Sequence, residues 1–343
     1  MRIETVEDIH ALLDGYATAA ALGAAMELGL FWRLADGPRP AQDIARELGI
    51  SFNRCQNWLQ LLVKLGLLAQ DDTGYAPSTL ARQTVLDVFS RDTWAFLALS
   101  NRQGAPVLYD LAERITRPGS TWENVQLKPP DYYHQIRTDP RYAERFTRMI
   151  YEIHVPLAAI LADMLDLTGV EKMLDLGGGS GVISHALLRK NPGLTSLIVD
   201  NENVCAVGRE IARENNLADR VSYLGADFVT DELPAGFDLA LLCDVGRQDA
   251  GIYAKIQAAL NPGGRLVIVD KLSADEDTAV PSRVVWALLG SLDSPADTGG
   301  FRTVDSTVSY LQQAGFREIT VRALPDRDQL RWNKDWTVIE ASK

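Results

Sequence analysis

The chain is poor in the residues that mark several protein classes. It has three cysteines in 343 residues, Cys55, Cys205 and Cys243, far apart and without a Cys-x-x-Cys pair. That excludes a disulfide scaffold and reads as small buried hydrophobes in a reducing compartment. Its four histidines, His10, His134, His154 and His185, form no metal-ligand pattern, so no metal is expected. No uncharged apolar run approaches the ~18 residues of a membrane span. The acidic start, Met-Arg-Ile-Glu-Thr-Val-Glu-Asp, lacks the apolar stretch of a signal peptide. Positive charge is also scarce: 34 Lys and Arg against 46 Asp and Glu leave a net −12. Such a field repels nucleic acid and anionic membrane. These absences predict a cytoplasmic protein of about two domains, with neither nucleic acid nor membrane as partner.

What is present begins with helix. Ile9, Leu12, Leu13 and Tyr16 keep helical apolar spacing, and Thr5 stands at the N-cap of a helix predicted to run to about Ala35. Ala41–Leu48 and Ser51–Leu65 follow as two short helices, divided by Gly49 and with Ser51 as cap. Leu67-Leu68, an Asp71-Asp72-Thr73-Gly74 turn and Tyr75 then read as a small β wing. A winged helix suggests DNA, but Pro38–Arg82 holds five basic residues against four acidic, and apolar side chains dominate its second helix. DNA binders show a clustered basic face. Packing and dimerisation are the better use of this element.

Residues 84–160 read as largely helical and carry an aromatic stretch: Asp131-Tyr132-Tyr133-His134, then Tyr142, Phe146, Met149 and Tyr151. An ordinary core and the wall of a ligand pocket are both open readings, since tyrosine offers an apolar body with a polar tip.

From Lys172 the period changes. Short apolar runs at 173–176, 197–199, 221–224, 239–242 and 266–269 alternate with helical stretches, the pattern of βαβ units around a buried parallel sheet. Ile319–Leu324 and Thr337–Ala341 follow without a clear helix between them and should pair as an antiparallel edge. Asp175-Leu176-Gly177-Gly178-Gly179-Ser180-Gly181 lies between a predicted strand and helix, where glycines bring backbone close to a ligand. Asp200 follows Gly181 by 19 residues, at a strand end where a carboxylate can take both ribose hydroxyls. Val182 occupies the place of the third small residue in the dinucleotide fingerprint, so the spacing fits a nucleoside without pyrophosphate. Asp227-Phe228 after the third strand could hold an adenine edge and face, and Asn261-Pro262-Gly263-Gly264 adds a turn.

With these motifs in order, nearly the whole chain resembles the dimeric S-adenosylmethionine-dependent small-molecule O-methyltransferases of caffeate and polyketide type. The residues that carry the resemblance are Phe146-x-x-Met149, LDLGGGSG, Asp200, GADF at 225–228, LNPGG and Ala314-Gly315-Phe316. The resemblance implies an α/β fold: a Rossmann-like, seven-stranded methyltransferase domain after an α-helical winged-helix dimerisation domain. The expected division is 1–100 for dimerisation, 101–160 for a helical connector lining the substrate pocket, and 161–343 for the cofactor domain. The resemblance also implies a homodimer, S-adenosylmethionine as cofactor, and contacts to it from Gly177, Gly179, Asp200, Asn201, Asp227, Phe228 and Cys243.

Two positions depart from the family. Its catalytic base is a His after the fourth strand, where this chain has Arg247; a Glu before Arg-Thr is replaced by Phe301. Arginine stays protonated and cannot take a proton, although its planar fork suits a carboxylate. A thioether sulfur or an ionised carboxylate needs no base. The leading expectation is therefore S-methylation of an anionic thioether acid of methylthio-hydroxybutyrate type. O-, N- or C-methylation with a relocated base, Tyr142 or His154, stays open, as does a homologue that keeps the cofactor without methylating. Substrate-facing candidates are His134, Tyr142, Phe146, Met149, Arg247 and Trp286.

Overall fold

A computed structural model describes residues 3–109, 111–116, 132–246, 248–272, 288, 303–324 and 336–343. The chain divides into two compact units, Met1–Tyr109 and Asp110–Lys343.

In the first unit, Thr5 caps α1 (Val6–Leu13): its hydroxyl accepts the Asp8 N–H at 3.1 Å, and the Asp8 carboxylate accepts the Thr5 N–H at 2.9 Å. The single helix expected to Ala35 is instead divided. α2 (Gly15–Glu27) begins after Asp14 and stops at Leu28, because Gly29 takes the left-handed backbone, φ +66°, that ends helices. α3 (Ala41–Leu48) and α4 (Phe52–Lys64) follow, then a hairpin of β1 (Leu68–Asp71) and β2 (Gly74–Pro77). The Asp71 carboxylate closes that turn by accepting from the N–H groups of Thr73 and Gly74. Ser51 is the N-cap residue of α4, but its hydroxyl makes no capping bond. Leu30, Phe31, Leu59 and Leu62 are fully buried in the core of this unit. The apolar side chains of α1 are not: Val6, Ile9, Leu12 and Leu13 are exposed, as is Tyr16 at the start of α2. α5 (Arg91–Tyr109) runs through residue 100, where the sequence suggested a boundary.

In the second unit, α6 (Tyr132–Thr138) and the long α7 (Pro140–Met164) precede the sheet. Asp139 caps α7 and Pro140 stands at its first position, where a missing N–H costs nothing. The seven-stranded sheet comprises β3 (Lys172–Leu176), β4 (Thr195–Asp200), β5 (Val221–Gly225), β6 (Phe237–Cys243), β7 (Leu260–Asp270), β8 (Arg317–Ala323) and β9 (Thr337–Ser342). Their order is β5-β4-β3-β6-β7-β9-β8. The first five strands are parallel; β9 runs antiparallel between β7 and β8, so the late pair forms the antiparallel edge the sequence suggested. The Asn261–Gly264 segment lies within β7, where the register slips between Phe237↔Leu260 and Leu239↔Arg265.

Both faces of the sheet are covered, which explains the unbroken apolar runs. α7, α8 (Val182–Lys190) and α9 (Glu202–Glu214) contribute Leu157, Leu161, Leu187 and Cys205 to one core. α10 (Ala250–Ala259) and α11 (Val304–Gln313) contribute Ile252, Tyr253, Ile256 and Leu311 to the other. The chain winds from β3 outward to β5, then returns to β6 on the other side. That reversal opens a crevice over the carboxyl ends of β3 and β6, the usual ligand site of such sheets.

Candidate functional site

The glycine-rich turn leaves β3 into this crevice. The Gly177 N–H donates to the Val199 carbonyl at 2.8 Å, and the Gly179 N–H donates to the Asp200 carboxylate at 2.9 Å. The Asn201 N–H reaches the other Asp200 oxygen at 2.6 Å. Asp200 is thus fixed at the end of β4 by backbone alone. Burial pushes its carboxyl above the ordinary range, and these two N–H groups pull it partly back. Two positions need glycine for close approach. A Cβ on Gly178 would lie 2.5 Å from the Asp175 carboxyl carbon, and one on Gly181 (φ +80°) would lie 2.5 Å from the Tyr223 hydroxyl.

Beneath the turn lies a buried polar network that the sequence reading missed. The Ser184 hydroxyl donates to Asp175 at 2.6 Å and lies 3.0 Å from Ser196. Burial drives the Asp175 carboxyl up to about 7, helped by Asp200 and opposed by the Ser184 bond. His185 Nε2 stands 3.2 Å from the Tyr223 hydroxyl, and burial depresses its pKa to about 4.

Asp227 and Phe228 occupy the loop after β5. The Asp227 carboxylate accepts the Val229 N–H at 3.0 Å, an Asx turn, and Phe228 packs beside Gly177 and the second core. Lys255 of α10 ties this loop down by donating to the carbonyls of Phe228, Val229 and Asp231 at 3.4, 2.5 and 3.0 Å. Asn201 uses its side chain to cap α9 at the Asn203 N–H. Cys243 ends β6 half-buried; burial raises its thiol well above normal, with Asp244, Asp175 and Asp270 adding to the effect.

The substrate candidates separate. Tyr142 and Phe146 stack with ring centroids 6.5 Å apart and pack with Ile136, Ala143 and Val204. The Asn203 side chain joins α9 to α6 at the Ile136 and Arg137 carbonyls, which sets this cluster at the Asp200 end of the crevice. Met149 is buried in α7, whereas His134 is exposed on α6. His154 is buried one turn after Met149 and Ile150, with Nδ1 3.0 Å from the Ile150 carbonyl and Nε2 3.4 Å from Asp244. Trp336, just before β9, meets the His154 ring edge-on at 6.1 Å, and Lys271 Nζ sits 4.9 Å over the indole. Arg247, Trp286, Phe301 and the side chains of Tyr132 and Tyr133 lie outside the described residues. Beside position 247, buried Gln248 donates to Val245 and Asp270 and accepts from the Tyr253 hydroxyl.

The residues present therefore fit a nucleoside: an anchored acid for vicinal hydroxyls and a glycine turn without Cβ obstruction. Comparison with known proteins agrees. Residues 108–317 match the O-methyltransferase domain, and residues 10–87 match the O-methyltransferase dimerisation domain. The chain belongs to the O-methyltransferase family. It is an S-adenosylmethionine-dependent methyltransferase, and the cofactor supplies an electrophilic sulfonium methyl. Among its relatives, 3-hydroxy-5-methyl-1-naphthoate 3-O-methyltransferase of Streptomyces sahachiroi is 30% identical, covering 91% of this chain and 90% of its own. The mitomycin biosynthesis 6-O-methyltransferase of Streptomyces lavendulae is also 30% identical, over 94% and 90%. The solved structure of the mitomycin 7-O-methyltransferase MmcR shares the fold at a TM-score of 0.83 and 23% identity, covering 98% of this chain and 97% of that one. Among the described residues, no helix is long and apolar enough to cross a membrane.

Proposed function

We propose that this methyltransferase of the O-methyltransferase family transfers the sulfonium methyl to a hydroxyl of a small aromatic molecule and works as a homodimer. The observation that carries the acceptor class is the even resemblance, across more than nine-tenths of the chain, to the two O-methyltransferases named above. One of them acts on a naphthoate hydroxyl by its name, and a phenol of that kind is an acidic oxygen nucleophile. The thioether acceptor expected from Arg247 finds no support in these relatives and is not carried further. Dimerisation is supported by the matched dimerisation domain and by the exposed apolar face of α1, a stripe that a second copy can cover.

The acceptor is tested with S-adenosylmethionine and a panel of hydroxynaphthoates, simpler phenols and methylthio acids. S-adenosylhomocysteine should accumulate with the phenols, and mass spectrometry should find a methyl ether without a permanent positive charge. A permanently charged sulfonium, or no turnover, contradicts the reading. Paired Leu12→Glu and Leu13→Glu substitutions should convert a dimer into a monomer in light scattering. An unchanged dimer places the interface elsewhere.

A further inference from the structure

We propose that Asp175, at the end of β3, carries a proton in the free enzyme and releases it when S-adenosylmethionine binds, so that cofactor uptake is coupled to pH near neutrality. The coupling rests on Asp200 as acceptor of the ribose hydroxyls and does not depend on the methyl acceptor.

The first support is where the two carboxyl groups stand. Asp175 pairs with Ile198 on one side and Leu241 on the other, so Asp200 and Cys243, two positions further along, share its face of the sheet. Tyr223 pairs with Ile198 and belongs to the same face. Gly178 lies directly against Asp175: a Cβ there would come within 2.5 to 2.8 Å of the carboxyl carbon and both oxygens. The next residue, Gly179, donates its N–H to Asp200. One glycine turn therefore touches both acids, and it is the turn on which the nucleoside site is built.

The second is how differently the two are held. Asp200 accepts two backbone N–H groups. Asp175 is 1% exposed and accepts one hydroxyl, that of Ser184 at Oδ2, while its Oδ1 has no hydrogen-bond partner. Among the described residues no lysine or arginine pairs with it. Ionised, it would be a buried charge without compensation, so the carboxyl keeps a proton instead. Its rise to about 7 agrees.

The groups that face Asp175 leave Asp200 as the charge that matters. On the sheet, burial raises the Tyr223 hydroxyl and the Cys243 thiol, so both stay neutral. α8 brings Ser184 and His185, and burial depresses His185 to about 4, which keeps it neutral at pH 7. α9 brings Cys205, pushed up to about 12, and Arg209, which is paired with Glu202. α7 brings Tyr151, against the His185 ring, and His154, which faces Asp244.

The direction of the coupling follows from burial. Asp175 is already out of water, so a ligand cannot desolvate it further. Asp200, once it accepts ribose hydroxyls, repels an Asp175 carboxylate less, and a cofactor of net positive charge then lies in the same crevice. Both changes favour the carboxylate. Ser184 is in place to hold it, with Ser196 3.0 Å behind, and the proton passes to the buffer.

The test is calorimetric titration of the full-length enzyme with S-adenosylmethionine at pH 7, without acceptor, in phosphate and in Tris, whose ionisation enthalpies differ. Subtracting the same titration of Asp175→Asn removes the cofactor amine's own protonation. With the Asp175 carboxyl at about 7, wild type should release up to about half a proton more than the variant, and its affinity should rise about five- to tenfold more between pH 6 and pH 8. Infrared difference spectra should show wild type losing a buried protonated carboxyl on binding. Should Asp175→Asn not fold, Ser184→Ala takes its place: without the donor that favours the carboxylate, the rise in affinity should move to higher pH. Equal proton release in wild type and Asp175→Asn, or a pH profile indifferent to Ser184→Ala, overturns the coupling. Unchanged affinity in Asp200→Ala overturns the ribose reading beneath it instead.

Discussion

The two ends of the crevice are built by different means. At the cofactor end, Asp175 to Gly181, Asp200 and Asp227-Phe228 each stand at the end of a strand, within short contiguous motifs. Backbone N–H groups hold Asp200, so its placement follows directly from the strand–turn–helix path. Over the end of β6, His154 comes from a long helix, Asp244 from a strand end and Trp336 from the entrance to the last strand. No short motif contains them. The glycine turn and Asp200 are thus local in sequence, while His154, Asp244 and Trp336 are brought together by tertiary packing. That division suits a family in which one cofactor serves many acceptors.

Within the glycine-rich turn, the largest effect is expected from Gly178→Ala. Its methyl would meet the Asp175 carboxyl at 2.5 Å, and forced overpacking costs about 1–3 kcal/mol. S-adenosylhomocysteine affinity should fall at least tenfold by calorimetry. Wild-type affinity would show that the turn relaxes freely. Lys255→Met comes next: it frees three loop carbonyls that water can solvate, at about 0.5–1.5 kcal/mol in all. The cofactor KM should rise several-fold while acceptor KM holds. Equal changes in both would mean the loop serves the two ends together.

The smallest effect is a slope with pH. The Asp175 carboxyl is raised from 3.8 to about 7 in the fold, so the native state keeps a proton that the unfolded chain releases. Its contribution to stability therefore falls as pH rises between those values. His185 is depressed from 6.5 to about 4, so its contribution is lost as pH falls through that range. The two oppose each other below pH 6.5, and Asp175 acts alone above it. Asp175→Asn removes one slope: its melting temperature should gain on wild type between pH 5 and pH 7.5. A constant difference would place no proton on Asp175.

How much was legible in sequence follows the same division. The alternation of strands and helices, the antiparallel late pair, the glycine turn and Asp200 were all readable, because each is fixed by local spacing. The break at Gly29 was not, since a glycine in a small-residue helix signals packing as readily as termination. The Asp175–Ser184–Ser196 network was missed because burial, not spacing, makes those groups important. His154 was one candidate among several; nothing in sequence puts Asp244 beside it or gives Asp244 a left-handed backbone. The aromatic run, read as a pocket wall or a core, resolves in part: Tyr142 and Phe146 pack with Val204 of the cofactor side, and His134 faces outward.

The most direct test of this division is one calorimetric series with S-adenosylhomocysteine on wild type, Asp200→Ala and His154→Gln. Each charged hydrogen bond lost from Asp200 should cost about 1.5–3 kcal/mol, so Asp200→Ala should bind at least tenfold more weakly than wild type. His154→Gln should bind as wild type does. Wild-type affinity in Asp200→Ala, or a matching loss in His154→Gln, would contradict the separation of the Asp200 end from the His154 cluster.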